Sequence, residues 1–445
     1  MIELRRDFLR IGVAAAGALG VPSRGKAAAN DRVNLGFIGV GIRGTGLLRT
    51  FLNMPDVNEV AVADLYDGYL RNAHQMSDGK MDTGKEYRAL LDRNDIDAVV
   101  IATPDHLHCR MVLDALSAGK DVYCEKPLTW SIGEGFRIQE AVARTGRIVQ
   151  VGSQTKSSRM TARVKQLVAS GAVGKVTSVY RIGSGTTEEG AWRYPIPPDA
   201  SPQTVDWPKF LGPAPRIPWN PERFFRWRCW WEYSGGLATD LMVHELTTLH
   251  EIMGAKLPTS VVAQGGIFHW NDGRTVPDTL TAVFEYSEGF DFTVHISQAT
   301  AALGVGGMGD SFCIGGTQGT LVWGRRPETL QIVPEGGPGV PRGNIVAWPK
   351  EMQQQYFAAH GLTPQGKPQN PPQARNVETI RVEPSPASHE ALFIQSVRSR
   401  TPSVETAEEG HNAAAAAHMA NMSYLQGRRV VAREAIQHAK KGRRT

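Results

Sequence analysis

The chain has 445 residues, with 49 Lys and Arg against 44 Asp and Glu, a formal charge of +5. So near a balance argues against a protein built around a polyanion, and no nucleic-acid partner is expected. The four cysteines (Cys109, Cys124, Cys229, Cys313) form no CxxC and no zinc-ligand spacing, so free buried thiols and no metal are expected.

Residues 1–29 read as a leader outside the fold. Arg5-Arg6-Asp7-Phe8-Leu9-Arg10 is a twin-arginine pattern, Ile11 to Val21 is apolar but too short to span a bilayer, and Ala27-Ala28-Ala29 offers a cleavage site. Export by the twin-arginine route is expected, to the periplasm or otherwise outside the cytoplasm, with no stable membrane anchor after cleavage. Without that segment's five basic and two acidic residues the remainder holds 44 against 42. Because the route carries folded proteins, a cofactor can be loaded first. Outside the cytoplasm there is no free nicotinamide pool, so the cofactor is expected to be tightly held and regenerated in each cycle.

Residues 31–152 alternate strand and helix, as a doubly wound parallel sheet does. The apolar run Val33, Leu35, Phe37, Ile38 leads into Gly39-x-Gly41-x-x-Gly44 and then a helix over Leu47 to Met54. In that order the glycines give a tight turn, a close approach to a pyrophosphate and close helix–strand packing. N–H groups at the helix start face phosphate charge. The expected cofactor contacts there are Gly39, Gly41, Ile42, Arg43 and Gly44, with Arg43 meeting the pyrophosphate or pointing to water. A second run, Val60 to Ala63, ends at Asp64, 20 residues after Gly44, where an acid accepts from the adenosine ribose. A carboxylate there would repel a 2′-phosphate, and Leu65 and Tyr66 supply no arginine to welcome one. NAD is favoured over NADP. A third buried run, Ala98 to Ala102, ends in the turn Thr103-Pro104-Asp105-His106-Leu107-His108.

Beyond about residue 153 the pattern changes. Val176–Ile182, Ser260–Ala263, Thr279–Tyr286, Phe290–Ile296 and Ser311–Ile314 alternate in strand fashion and predict an open, largely antiparallel sheet within an α/β domain over 153–430. Thr239–Met253 reads as a helix, and residues 324–386, rich in Pro, Gly and Gln, as an irregular insertion. Ser388–Ser399 and Ala407–Gln426 read as helices that dock on an earlier domain. Residues 431–445 read as a basic tail.

Gly39-x-Gly41-x-x-Gly44, Thr103-Pro104-x-His106-x-His108, Glu125-Lys126-Pro127 and Gly235-Gly236-x3-Asp240-x3-His244 occur in that order. Together with the closing Ser388-His-Glu-Ala-Leu-Phe-Ile-Gln-Ser-Val-Arg and Glu409-Gly-His411, they resemble the Gfo/Idh/MocA oxidoreductases. The resemblance implies an N-terminal Rossmann domain and a C-terminal α/β domain whose outer sheet face forms a homo-oligomer, a dimer or tetramer. It places the lysine matching Lys126 beside the nicotinamide and the substrate hydroxyl, and the residues matching Asp240 and His244 against the substrate. It sets the Thr103–His108 loop against the cofactor, with Thr103, Pro104, His106 and His108 as contacts.

The residues fit that chemistry. Oxidising a carbinol releases a proton with the hydride, and a desolvated lysine can shuttle it. Glu125 reads as an orienting or cofactor-contacting neighbour. Asp240 and His244, four apart, share a helix face, and a histidine has a pKa suited to general acid–base work. A helix-surface ion pair, or a metal pair lacking its other ligands, is the plainer alternative. The Phe224–Tyr233 cluster suits a sugar pocket, a buried aromatic core or an oligomer contact, and Tyr233, just before Gly235-Gly236, is the candidate site residue in it. The leading expectation is an exported NAD-dependent oxidoreductase of a sugar, glycoside or cyclic polyol. The alternatives are an NAD-dependent glycosidase of the family 109 type, cycling through transient C3 oxidation, and a catalytically silent sugar-binding protein.

Overall fold

The apolar runs of the first third form six strands: β1 (Val33–Ile38), β2 (Val57–Ala63), β3 (Asp82–Gly84), β4 (Ala98–Ile101), β5 (Asp121–Glu125) and β6 (Val149–Gly152). In this computed structural model the described residues are 32–302, 310–324, 329–335, 340–341, 343–369 and 376–441, and the twin-arginine segment lies outside them. The strands lie parallel in the order β3-β2-β1-β4-β5-β6. The order reverses between β1 and β4, so a crevice opens at their carboxyl ends, where doubly wound sheets bind ligands. β4 and β5 are buried throughout, as strands covered on both faces must be. One face packs on Val112, Ile138 and Ala141 from helices Asp105–Ser117 and Ile132–Thr145. The other packs on Leu47 and Phe51 from helix Ile42–Leu52, and on Phe393, Ile394 and Val397 from the late helix His389–Ser399.

The second sheet has nine strands among the described residues: β7 (Val176–Ser184), β8 (Ser260–Gly266), β9 (Thr279–Tyr286), β10 (Phe290–Ser297), β11 (Ser311–Gly316), β12 (Gly319–Gly324), β13 (Thr329–Pro334), β14 (Glu378–Arg381) and β15 (Val430–Val431). Their order is β14-β13-β12-β11-β7-β10-β9-β8-β15, and only β7 and β10 pair in parallel. The inward residues Leu280, Ala282, Phe284, Phe292 and Val294 are fully buried. Helix Ala407–Gln426 lies against this core, starting from a capping box of Thr406 and Glu409 and presenting Ala413, Ala416, Ala417 and Ala420. Its small side chains let helix and sheet approach closely. The outer face carries Tyr180, Val262 and Val283, each more than a third exposed.

Two expectations change. The segment 324–386 is not wholly irregular: β13 and β14 extend the sheet edge, and helix Lys350–Ala359 lies between them. The predicted basic tail from 431 is largely helix, Ala432–Lys440, with Ala435 and Ala439 buried and the whole packed on helix Ile132–Thr145. Its apolar positions at i and i+4 give it a face to bury, which the high count of basic residues obscures. No helix of the described residues is long and apolar enough to cross a membrane.

Candidate active site

A cavity of about 380 Å³ runs from the glycine turn after β1 to the helix that begins beside Asp240. Its cofactor half is built on backbone. Gly39 has φ +85°, and a Cβ there would stand 2.9 Å from the carbonyl oxygen of Ala102. A Cβ on Gly44 would stand 2.1 Å from the Gly39 carbonyl oxygen, so only glycine allows this contact of turn and helix. No side chain caps the helix at Gly41, which leaves its first N–H groups available to an anion. Gly39, Gly41, Ile42, Arg43 and Asp64 all line the cavity, whereas Gly44 acts behind it. Asp64 Oδ2 accepts from Val40 N at 2.7 Å and Oδ1 from Tyr66 N at 2.9 Å. Burial pushes its carboxyl up to about 6, against the lowering effect of those N–H groups. Each oxygen keeps a second lone pair for a ribose hydroxyl. The turn, the free helix start and the acid fit a dinucleotide.

Arg43 links the glycine turn to the second motif. Its Nε donates to Glu125 Oε1 at 2.7 Å, and its outer nitrogen lies 3.4 Å from Glu390 on helix His389–Ser399. Gln154 also donates to Glu125, at 3.2 Å.

Lys126 follows β5, and its side chain is only 12% exposed. Its Nζ donates to the Asp240 carbonyl oxygen at 2.7 Å and to Asp240 Oδ1 at 2.9 Å. Arg228 Nε donates to the same Oδ1 at 3.1 Å. Burial alone would raise the Asp240 carboxyl, but Lys126 and Arg228 hold it well below the usual carboxylate range. Residues Ala238–Met242 form one π-helical turn, and Val243–Met253 continue as α-helix. The wider turn accompanies many functional sites. Here Asp240 and His244 both face the cavity across it.

The structure separates the Thr103–His108 loop into two groups. Thr103 and Pro104 line the cavity. His106 and His108 do not. His106 is 3% exposed, its Nε2 lies 2.8 Å from the Phe210 carbonyl oxygen, and burial pushes it down to about 4. The His108 ring sits between the carbonyl oxygens of Pro127 and Thr103, at 2.7 and 2.8 Å, bracing the turn that presents Lys126. Both begin the first turns of helix Asp105–Ser117, which turns their rings inward. The residues between the motif positions, Asp105 and Leu107, are the ones that line the cavity. The polar one is Asp105. Its Oδ2 faces Gly235 N and Thr239 Oγ1, each at 3.3 Å, and burial followed by the Asp240 charge pushes its carboxyl up to about 7. A buried acid placed beside the matched His positions is a signal the motif spacing conceals.

Tyr233 is also corrected. It is 1% exposed and packs against His106, Phe210 and the Arg223 guanidinium, outside the cavity lining. Position before a glycine pair does not say which way a ring turns. The aromatic cluster divides likewise. Phe224, Phe225, Trp227 and Arg228 line the cavity together with Tyr194, while Cys229 and Trp230 are core. Among the described residues no group of three or more His, Cys, Asp or Glu could hold a metal.

Comparison with known proteins agrees with this geometry. Residues 33–153 match the model of the oxidoreductase family with an NAD-binding Rossmann fold, and residues 215–322 match the GFO/IDH/MocA C-terminal domain, together just over half of the chain. The chain is 26% identical to the oxidoreductase YrbE of Bacillus subtilis over 238 residues, 52% of this chain and 56% of YrbE. It is 30% identical to a glycosyl hydrolase family 109 protein of Shewanella pealeana over 154 residues, 33% of this chain and 34% of that protein. The matches thus span about half or less of these curated relatives. A levoglucosan dehydrogenase solved with NADH and levoglucosan shares the fold, with TM-score 0.64 at 17% identity over 90% of this chain and 99% of that one. With its glycine turn at the sheet's switch point, Glu125-Lys126-Pro127 behind it and Asp240 and His244 opposite, the chain belongs to the Gfo/Idh/MocA oxidoreductase family and carries its NAD-binding Rossmann domain.

Proposed function

We propose that this protein is an NAD-dependent oxidoreductase that oxidises a ring hydroxyl of a sugar, glycoside or cyclic polyol. The observation that carries this reading is the pinning of Lys126 Nζ by Asp240 inside the same cavity as the glycine turn. Bound NAD supplies the hydride acceptor, C4 of its nicotinamide. The chain supplies the rest. Two of the three Lys126 N–H bonds are committed to Asp240, so the third is left to donate to the carbinol oxygen. An ammonium held this way stabilises charge developing on that oxygen but has no lone pair to receive its proton. His244 is the cavity residue suited to that transfer. Asp240 keeps Oδ2 for a neighbouring hydroxyl, and Phe210, Phe224, Phe225 and Tyr194 exclude water.

The test is direct. Purified mature protein is denatured to identify released nucleotide, and the native form is screened against sugars and glycosides for nicotinamide reduction and ketosugar. Stoichiometric NAD with ketosugar formation is the expected result. Absence of bound nucleotide in protein from its native host, with no turnover on added NAD, overturns the reading.

A second reading draws on the similarity to the family 109 protein. In such a cycle a glycoside oxidised at C3 would lose its aglycone by elimination across C1 and C2, water would add back, and C3 would be reduced again, with bound NAD supplying the reversible hydride exchange. No external acceptor is needed, which suits an exported enzyme. Release of p-nitrophenol from aryl glycosides, with solvent deuterium entering at C2, distinguishes it from net oxidation.

Export by the twin-arginine route and assembly through the outer face of the second sheet belong to the same proposal. The Arg5-Arg6 leader pattern supports the first, and the exposed Tyr180, Val262 and Val283 support the second.

A further inference from the structure

Arg228 sits in the short turn Trp227–Cys229, and the Trp227 ring lies 4.3 Å from its guanidinium carbon. The Nε–Asp240 bond and that ring fix the plane of the guanidinium. Among the described residues nothing accepts from its two terminal nitrogens, yet the side chain lines the cavity and is 20% exposed. These two N–H-bearing nitrogens have no protein acceptor among the described residues and open to the cavity, so a ligand there can take the place of water on them.

The charges of the cavity point the same way. Arg43 is paired with Glu125, and Lys85 with Asp67. Asp64 belongs to the glycine turn. At the reacting end Lys126 and Arg228 share one carboxylate, Asp240. Asp105, the other acid there, is pushed by burial and by Asp240 up to about 7, so it cancels only part of the excess. A fraction of a positive charge is left over beside apolar walls, where electrostatic attraction is stronger than in water.

Resting on the oxidoreductase reading above, we propose that the substrate carries a carboxylate seated bidentate on the outward edge of Arg228, and so is a sugar acid or its glycoside. A planar fork matches a carboxylate better than it matches any neutral sugar group. Lys126 Nζ and Arg228 Nε lie 2.9 and 3.1 Å from the same Asp240 oxygen. The ammonium that meets the reacting hydroxyl and the Nε of the fork are therefore no more than 6.0 Å apart. One ligand reaches both.

Equilibrium binding to the NAD-loaded full-length protein tests this without needing turnover. The probes are methyl hexuronides and the methyl hexosides that differ from them only at C6. The best acid should bind about thirty-fold tighter than its neutral partner, as a charge-assisted bidentate pair implies. Arg228→Met should bring the two within about three-fold, while Arg228→Lys, which keeps the charge but loses the fork, should fall between. Retention of NAD by both variants establishes that they are folded. Equal or weaker binding of the acids, a preference that survives Arg228→Met, or no binding of either class at about 10 mM overturns the proposal. Oxidation of neutral hexosides with no acid preference overturns it and leaves the oxidoreductase reading standing. Acid-selective binding without any nicotinamide reduction does the reverse.

Discussion

Lys126 and Asp240 meet at 2.9 Å across two layers of the molecule, the lysine at the end of β5 in the parallel sheet and the aspartate on the π-turn beneath the second sheet. Replacing Lys126 by Met keeps the stem and removes the ammonium. The turnover number should fall about a thousand-fold, because the developing alkoxide loses its donor, while NAD stays bound. Asp240→Asn should cost less in rate and more in KM, since Asn retains an acceptor for Lys126 but no charge. Steady-state kinetics with nucleotide quantified in each preparation check both.

Asp105 is a positioning residue. Its carboxyl gathers Gly235 N and Thr239 Oγ1, and Asn421 Nδ2 holds the Gly235 carbonyl at 2.8 Å from the other side. Asp105→Ala should lower kcat about ten- to a hundred-fold with little change in NAD content, because the π-turn loses its anchor. Asp105→Asn, which still accepts from both donors, should recover most of that rate. Equal losses in the two variants would show that geometry is not what Asp105 supplies.

Glu405 gives a pH signature in stability. It is fully buried, accepts from Thr247 Oγ1 at 3.3 Å, and is pushed up to about 8 by burial. Its unfolded value lies near 4.3. Between those two pH values the unfolded chain has released a proton that the native state keeps, so stability falls as pH rises from about 4 to about 8. Glu405→Gln should therefore melt higher than the parent at pH 8 to 9, by a few kcal/mol equivalent. The difference should vanish near pH 4.5, which calorimetry at a series of pH values measures.

On the outer face of the second sheet, Tyr180 on β7 and Val283 on β9 stand 46% and 40% exposed. The double change Tyr180→Asp with Val283→Asp should convert an oligomer to monomer without altering nucleotide content, because charges there meet only solvent in the single chain. Light scattering of the two forms decides it. A monomeric parent would remove the proposed assembly, and an oligomer unaffected by the change would assign it to another surface.

What the sequence made legible was whatever the chain encodes locally. The glycine turn, Asp64 at the end of β2 and Lys126 after β5 are each a strand end followed by a residue with a fixed task, so spacing alone places them in one crevice. Ring orientation and partner choice are set by residues far away in sequence. Tyr233 and His106 are turned from the cavity by Phe210, and His108 by the carbonyl oxygen of Pro127. Asp105 escaped notice because its partners Gly235 and Thr239 lie more than a hundred positions on. The aromatic run gave Arg228 no special place until Asp240 oriented its edge. Strands β13 and β14 were hidden by the turn-forming residues around them, since pairing of β13 with β12 and of β14 with β13, not local pattern, makes them strands.

The packing of Phe393, Ile394 and Val397 against Leu35, Phe51 and Tyr123 has a consequence for biosynthesis. The nucleotide-binding half, though encoded first, lacks part of its apolar cover until nearly four hundred residues have left the ribosome. Removing everything after Pro386 would bare that face and forfeit roughly 1.5–3 kcal/mol for each of the three side chains. A nascent chain must therefore wait, with its first sheet unfinished, for its last eighth to arrive. Acquisition of the nucleotide is then a late event, close to the end of synthesis.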